Sequence, residues 1–236
     1  MPRQLRHFVE GIPCHLTLRG VDRQDIFSVD GDRSRFLTYL QEGCGKHDVQ
    51  VHAYVLMSNH VHLLATPGGP ESFARTVQHL GRRYVPYVNR RYERTGPLWD
   101  GRYRSTWVSV DRYFFACHRY IELNPVRAGM VQRPDQFHWS SYHHNGGDRS
   151  DPLVDEHEVY MALGEDCSAR RAAYRALFES PLSPSLIDEI RTSSRLGRPL
   201  GSDDFCRRLE ARCGAPLRPG RRGRRKRLEI GSDPIF

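Results

Sequence analysis

YVLMSNHVHLLAT, residues Tyr54 to Thr66, puts His60 and His62 two positions apart inside a run that otherwise reads as buried β-strand. Side chains at i and i+2 of a strand point to one face, so both imidazoles can meet a single metal ion. Val49 to Leu56 reads as a strand of its own and Met57-Ser58-Asn59 as a turn, which predicts an antiparallel hairpin with the histidine strand spanning His60 to Thr66. A bare H-x-H is equally compatible with two hydrogen-bonded structural histidines. Its meaning depends on what lies downstream.

Some 60 residues later, DRYFFACHRYIELNPVRAGMV (Asp111 to Val131) reads as an amphipathic helix stopped by Asn124-Pro125. The residue before a proline is pushed out of the α region, so the last regular turn carries Tyr120 and ends near Asn124. Residues four apart share a helix face, which sets the Tyr120 phenol beside the Asn124 carboxamide. Phenols ionise only near pH 10 in water, and a divalent ion on His60 and His62 would help one attack a phosphate. Asn124 is the candidate third ligand, with His118 and Glu122 as substitutes, although an Asn before Pro also serves simply to end a helix. Tyr113, seven residues before Tyr120 on the same face, competes for the role of nucleophile.

Working outward, Cys14 to Arg19 alternates as a strand and Arg23 to Asp32 is a polar loop. Asp32 to Gly45 has helical spacing at Phe36, Leu37 and Leu40. Pro67-Gly68-Gly69-Pro70 precedes a helix from about Glu71 to Arg94, striped by Phe73, Val77, Leu80, Tyr84 and Val88, which Pro86 should kink. Trp99 to Val110 is extended. The order β-α-β-β-α-β-α predicts an α+β fold, a ferredoxin-like central antiparallel sheet with packed helices. From Gln136 no strand pattern survives, and short helices are expected over Asp155–Leu163, Ser168–Glu179, Pro184–Ser193 and Ser202–Cys213, the last capped by Ser202. The chain thus divides into 1–145, a helical extension over 146–216, and a basic, disordered tail over 217–236.

Net charge is +8, which suits a polyanionic partner. Arg218, Arg221, Arg222, Arg224, Arg225, Lys226 and Arg227 supply seven of those charges with no acid among them. That tail is the plainest nucleic-acid element. Arg82, Arg83, Arg90, Arg91 and Arg94 interleave with Tyr84, Tyr87 and Tyr92 along one helix, and Arg102 and Arg104 flank Tyr103; cations with aromatics are what grips single strands. An Arg-rich face can also be no more than a solvated surface. Six scattered cysteines without a C-x-x-C pair argue against a zinc knuckle or a disulfide framework, and point to free thiols, mostly buried. With no apolar run near 18 residues and no secretory leader, a cytoplasmic protein without a membrane span is expected.

Taken together, His60-Val61-His62, Tyr120-Ile121-Glu122-Leu123-Asn124-Pro125 and the intervening Gly96-Pro97-Leu98-Trp99-Asp100-Gly101-Arg102-Tyr103 resemble a single-tyrosine HUH transposase, and most of all the REP-associated tyrosine transposases. Cys14-His15-Leu16-Thr17-Leu18-Arg19-Gly20 with Arg23 to Phe27 resembles that family's first strand and loop. The resemblance covers about residues 8 to 145. It implies the HUH endonuclease fold, Tyr120 as nucleophile, Mg²⁺ or Mn²⁺ as cofactor, and a substrate of single-stranded hairpin DNA from a repetitive extragenic palindrome. It leaves open a homodimer, with the tyrosine serving its own or a partner's site. Two imidazoles by themselves would suit zinc or manganese better than magnesium. The alternatives are a non-cutting hairpin-DNA-binding regulator on the same fold, and a relaxase or replication initiator, which would usually bring a helicase or a second tyrosine.

Overall fold

In the computed structural model, which describes residues 9–214 and 217, four strands form one antiparallel sheet in the order β2-β3-β1-β4. They are β1 (Cys14–Arg19), β2 (Val49–Leu56), β3 (His60–Pro67) and β4 (Arg104–Trp107). Helices α1 (Asp30–His47) and α2 (Ser72–Arg91) cover one face, where alternate residues Leu16, Leu18, Val61, Leu63 and Ala65 join Phe36, Leu40, Phe73 and Leu80 in the main core. The opposite face carries Ala53, Val55 and Leu64, against which α3 (Phe114–Glu122) packs Phe114, Cys117 and Ile121. This is the predicted α+β, ferredoxin-like arrangement.

Chain chemistry sets most of the boundaries. The hairpin between β2 and β3 closes on Ser58-Asn59, with Met57 N donating to His60 O at 3.0 Å. A β-bulge between Val51 and Ala53 inserts His52 and reverses the alternation, so Val49, Val51, Tyr54 and Leu56 all reach the main core. The first helix starts at Asp30, two residues before the predicted start, because the buried Asp32 carboxylate accepts from Ser28 N (2.9 Å) and Val29 N (3.1 Å). α2 runs through Pro86 as one helix and stops at Arg91.

The tyrosine helix departs from expectation. It begins at Phe114, breaks at Leu123 (φ −85°, ψ 2°), and Asn124 opens a separate short helix, α4 (Asn124–Arg127). Pro125 sits in the first turn of α4, where its missing N–H costs nothing, so the Asn-Pro pair starts a helix as well as ending one.

Beyond residue 136 the chain forms α5 (Tyr142–Asn145), α6 (Glu158–Met161), α7 (Cys167–Ala176), α8 (Pro184–Leu196) and α9 (Asp203–Cys213). Ser202 caps α9 as expected, its Oγ accepting from Phe205 N at 3.2 Å. This region pairs back onto the sheet through isolated bridges Val51–Val154, Val55–Ser140 and Val108–Leu200. Phe205 and Leu209 reach the main core. None of the six cysteines forms a disulfide among the described residues, and four of them are buried. Among the described residues no helix is long and apolar enough to cross a membrane.

Candidate active site

The antiparallel register sets Thr17 opposite His62 and Arg19 opposite His60, so β1 and β3 together present His15, Thr17, Arg19, His60 and His62 on one face. The rings of His60 and His62 lie 5.0 Å apart and nearly perpendicular. Gly20 closes β1: its N–H donates to Asn59 O at 2.9 Å, and a Cβ there would fall 2.2 Å from the Gln24 carbonyl oxygen. Asn59 is thereby held with Nδ2 donating to Arg23 O (3.0 Å), which leaves Oδ1 to accept from His60 Nδ1 (2.7 Å). With the proton fixed on Nδ1, His60 Nε2 keeps its lone pair.

His62 is held in the same way, with one more choice. Its Nδ1 lies 2.9 Å from His15 Nε2 and 3.1 Å from Thr17 Oγ1. If Nδ1–H donates to them, Nε2 is a bare lone pair; if His15 Nε2–H donates instead, His62 carries its proton on Nε2. His15 is buried, and its Nδ1 has no partner among the described residues. Burial pushes His15 and His60 down to about 4, with Arg19 adding to the shift of His60. Burial first, then His15 and His60, hold His62 well below the usual imidazole range. All three rings are therefore neutral at pH 7, the state in which imidazole binds a metal.

Tyr120 comes from α3 to the same place in the same chain. Its ring centroid is 5.9 Å from His62 and 5.8 Å from His15, both edge-on. Arg127 of α4 lies 4.3 Å over the ring and donates to the Tyr120 carbonyl, so the helix break places a guanidinium on the tyrosine. Tyr113 is elsewhere: it sits just before α3, and its hydroxyl donates to Glu189 at 2.8 Å.

His60, His62, Tyr120 and Asn124 line one cleft of about 680 Å³. Two imidazoles and one carboxamide make a partial ligand set for Mg²⁺ or Mn²⁺, with positions left for phosphate oxygen and water. No group of three or more His, Cys, Asp or Glu able to hold a metal occurs among the described residues. The substitutes His118 and Glu122 are buried away from the cleft. His118 Nδ1 pairs with the Tyr174 hydroxyl (3.1 Å), while Glu122 accepts from Ser141, Asn145 and Tyr174.

Of the residues predicted to bind DNA, Arg102, Tyr103 and Arg104 line the cleft, carried there by a loop in which Asp100 N donates to Arg19 O (2.8 Å) and Gly101 takes a φ of 94°. Arg82, Arg83, Arg90 and Arg91 lie on the exposed side of α2 and do not line it. Arg83 pairs with Glu42 (3.0 Å) and Arg91 with Asp32 (3.5 Å), which also accepts from the Tyr87 and Tyr92 hydroxyls; Tyr84 is fully buried. Arg221, Arg222, Arg224, Arg225, Lys226 and Arg227 lie outside the described residues. Sequence reasoning gave no role to His15, Thr17, Arg19, Arg127, Arg191 or Arg195, all of which stand in or beside the cleft. For the three on β1 the alternation with Leu16 and Leu18 was the available signal.

Residues 8–124 match the family described as transposase IS200 like. Over those residues the chain is similar to IS200-like transposases. It superposes with a TM-score of 0.53 on the structure of a REP-associated tyrosine transposase bound to a REP hairpin, at 17% identity, over 67% of this chain and 93% of that one. That likeness is one of fold. A putative transposase from Deinococcus radiodurans R1 aligns at 21% identity, over 48% of this chain and 90% of that one, with a TM-score of 0.36. No curated protein matches. The family match ends at Asn124, immediately before the Pro125 and Arg127 that complete the tyrosine's surroundings.

Proposed function

We propose that this transposase nicks and rejoins single-stranded hairpin DNA through Tyr120. The observation that carries the reading is the meeting of a tyrosine with two histidines, each with no protein partner on Nε2 among the described residues, in one cleft of one chain. Tyr120 Oη forms a bond to the scissile phosphorus while the bond to the 3′ oxygen breaks. The phenolic proton passes to water and the 3′ oxygen leaves as a hydroxyl, giving a 5′-phosphotyrosyl ester. Because this ester keeps the energy of the bond it replaced, a hydroxyl from another strand can attack it and release Tyr120, so rejoining needs no ATP.

His60, His62 and Asn124 would hold Mg²⁺ or Mn²⁺, which when bound supplies Lewis-acid polarisation of the phosphate. Asn59, His15 and Thr17 fix the ring orientations. Arg127 holds the tyrosine ring and places positive charge beside the reacting phosphate. The hairpin substrate is supported by the fold likeness to a protein solved with one.

The test incubates the full chain and Mn²⁺ with single-stranded oligonucleotides drawn from the DNA flanking its gene, and looks for a denaturation-resistant protein–DNA adduct. The wild type is expected to form it. Tyr120→Phe, which keeps the ring and loses the attacking oxygen, is expected to bind DNA within a few-fold and form none. Adducts that persist in Tyr120→Phe and vanish in Tyr113→Phe would move the nucleophile to the other tyrosine.

A further inference from the structure

One wall of the cleft lies beyond the residues that the family match reaches. Helix α8 is capped by Ser183, whose Oγ accepts from Leu186 N at 3.3 Å, and ends at Gly197 with a φ of 64°. Ile190 is buried against the α3 side of the sheet, and the buried Ser193 accepts at its carbonyl from Thr106 Oγ1 of β4 at 3.2 Å. These contacts fix the helix in rotation. The neighbouring positions Arg191, Ser194 and Arg195, three and four apart on one face, then line the cleft that holds Tyr120 and His60.

The charge balance there is one-sided. Arg19, Arg102 and Arg104 arrive from the β1 and β4 side, Arg191 and Arg195 from α8, and among the described residues the only acid lining the cleft is Asp100. Arg191 makes a long contact to Asp188 (3.7 Å), both side chains exposed, and Arg195 has no ion pair among the described residues. Arg191 is also near enough to the Arg127 guanidinium over Tyr120 to oppose its charge. Five guanidiniums facing one concave space repel one another, and a polyanion relieves that repulsion. Arg presents paired N–H donors suited to phosphate oxygens, and Ser194 adds a neutral hydroxyl donor.

We infer that α8 is a phosphate-binding wall of the catalytic cleft, with Arg191, Ser194 and Arg195 holding backbone phosphates of the single strand that passes Tyr120. The ligand class is the phosphodiester backbone, read without base identity. The inference rests on the reading that DNA enters this cleft. It assigns to the extension a share of substrate grip, supplied by a helix some 60 residues beyond the end of the family match.

The experiment measures binding of a single-stranded oligonucleotide to the full chain by fluorescence anisotropy at several salt concentrations, for wild type, Arg191→Gln/Arg195→Gln, and Arg207→Gln/Arg208→Gln. The last pair removes the same charge from the exposed face of α9, where both guanidiniums reach Asp204. Each lost single-strand phosphate contact should flatten log affinity against log salt by about 0.7. The α8 variant is therefore expected to lose about 1.4 in slope, so the wild-type advantage shrinks about seven-fold between 50 and 200 mM salt. The α9 variant should keep the wild-type slope. Equal flattening in both variants, or none in the α8 variant at an unchanged melting temperature, overturns the wall. Adducts with no slope difference would sink the wall alone; a slope difference with no adduct in the wild type would sink the nicking reading alone.

Discussion

Two groups of histidines lie on the same side of the sheet, and they differ in one respect. His15, His60 and His62 face Tyr120; His52, His118 and His157 surround Phe114, whose ring is 4.7 Å from His118 and 4.5 Å from His157. Burial lowers the pKa in both groups, to about 4 for His52 as for His60. Neither burial nor pKa therefore separates a site from a core. The nitrogens do. His52 uses both, Nδ1 against Asp155 O and Nε2 against Thr66 Oγ1, each at 2.8 Å. His118 gives Nδ1 to Tyr174, and its Nε2 is closed inside protein. In the cleft group, the partners sit on Nδ1 of His60 and His62, and each Nε2 is left to the cleft.

The hardest test of this contrast is deletion. His60→Ala or His62→Ala should slow adduct formation by on the order of 10²-fold or more, since Lewis-acid stabilisation is worth several kcal/mol, with the melting temperature nearly unchanged. Excess EDTA should reproduce the loss in the wild type. His118→Ala should do the reverse: about 2 kcal/mol of stability lost, read from urea midpoints, through a cavity and the loss of the hydrogen bond to Tyr174, with adduct formation by the folded fraction within a few-fold. If His118→Ala silenced cleavage in fully folded protein, the division between the groups would fail.

A smaller effect is expected at His15, which touches the site only through His62. His15→Ala removes one of the two partners of His62 Nδ1, leaving Thr17 Oγ1 alone. Losing such an orienting partner typically costs 10- to 100-fold in metal affinity, and about 10-fold is expected here because Thr17 remains. Titrating Mn²⁺ by electron paramagnetic resonance reads this without any reaction. An unchanged affinity would leave His15 a packing residue.

The strands of this site were legible because period-two alternation and the Ser58-Asn59 turn are local signals. The bulge at His52 was not, since nothing in VQVHAYV marks which residue is extra, and it is the bulge that brings His52 among the core histidines. Tyr120 was legible through Asn124-Pro125, yet the same pair hid Arg127 by suggesting that the helix simply ended there. On α2, Arg91, Tyr87 and Tyr92 read as a grip for nucleic acid; the fold supplies them with Asp32, more than fifty residues away in the chain. The α8 wall has the same cause, because pairing Ser193 with Thr106 spans 87 residues and leaves no periodic trace.

The finest distinction concerns Glu122, two residues from Tyr120 and on the core side of the contrast. Burial raises its carboxyl from the ordinary 4.5 to about 7, although Ser141 (2.6 Å), Tyr174 (2.7 Å) and Asn145 (2.9 Å) all donate to it. A group whose folded pKa lies above its unfolded value contributes stability that is full below the unfolded pKa and lost as pH rises through the folded one. The buried histidines act in the opposite sense, losing their contribution as pH falls from about 6.5 towards 4, so the wild-type curve alone mixes both. Glu122→Gln isolates the carboxyl. Its Oε1 can still accept from Ser141 and Asn145, and its amide can donate to Tyr174, whose own proton can turn towards His118. The stability of wild type minus that of Glu122→Gln, from urea unfolding at each pH, should then fall steadily between about pH 4.5 and 7.5, with the histidine contributions cancelling. A difference that stayed flat across that window would mean that Glu122 is ionised throughout, held so by its three donors.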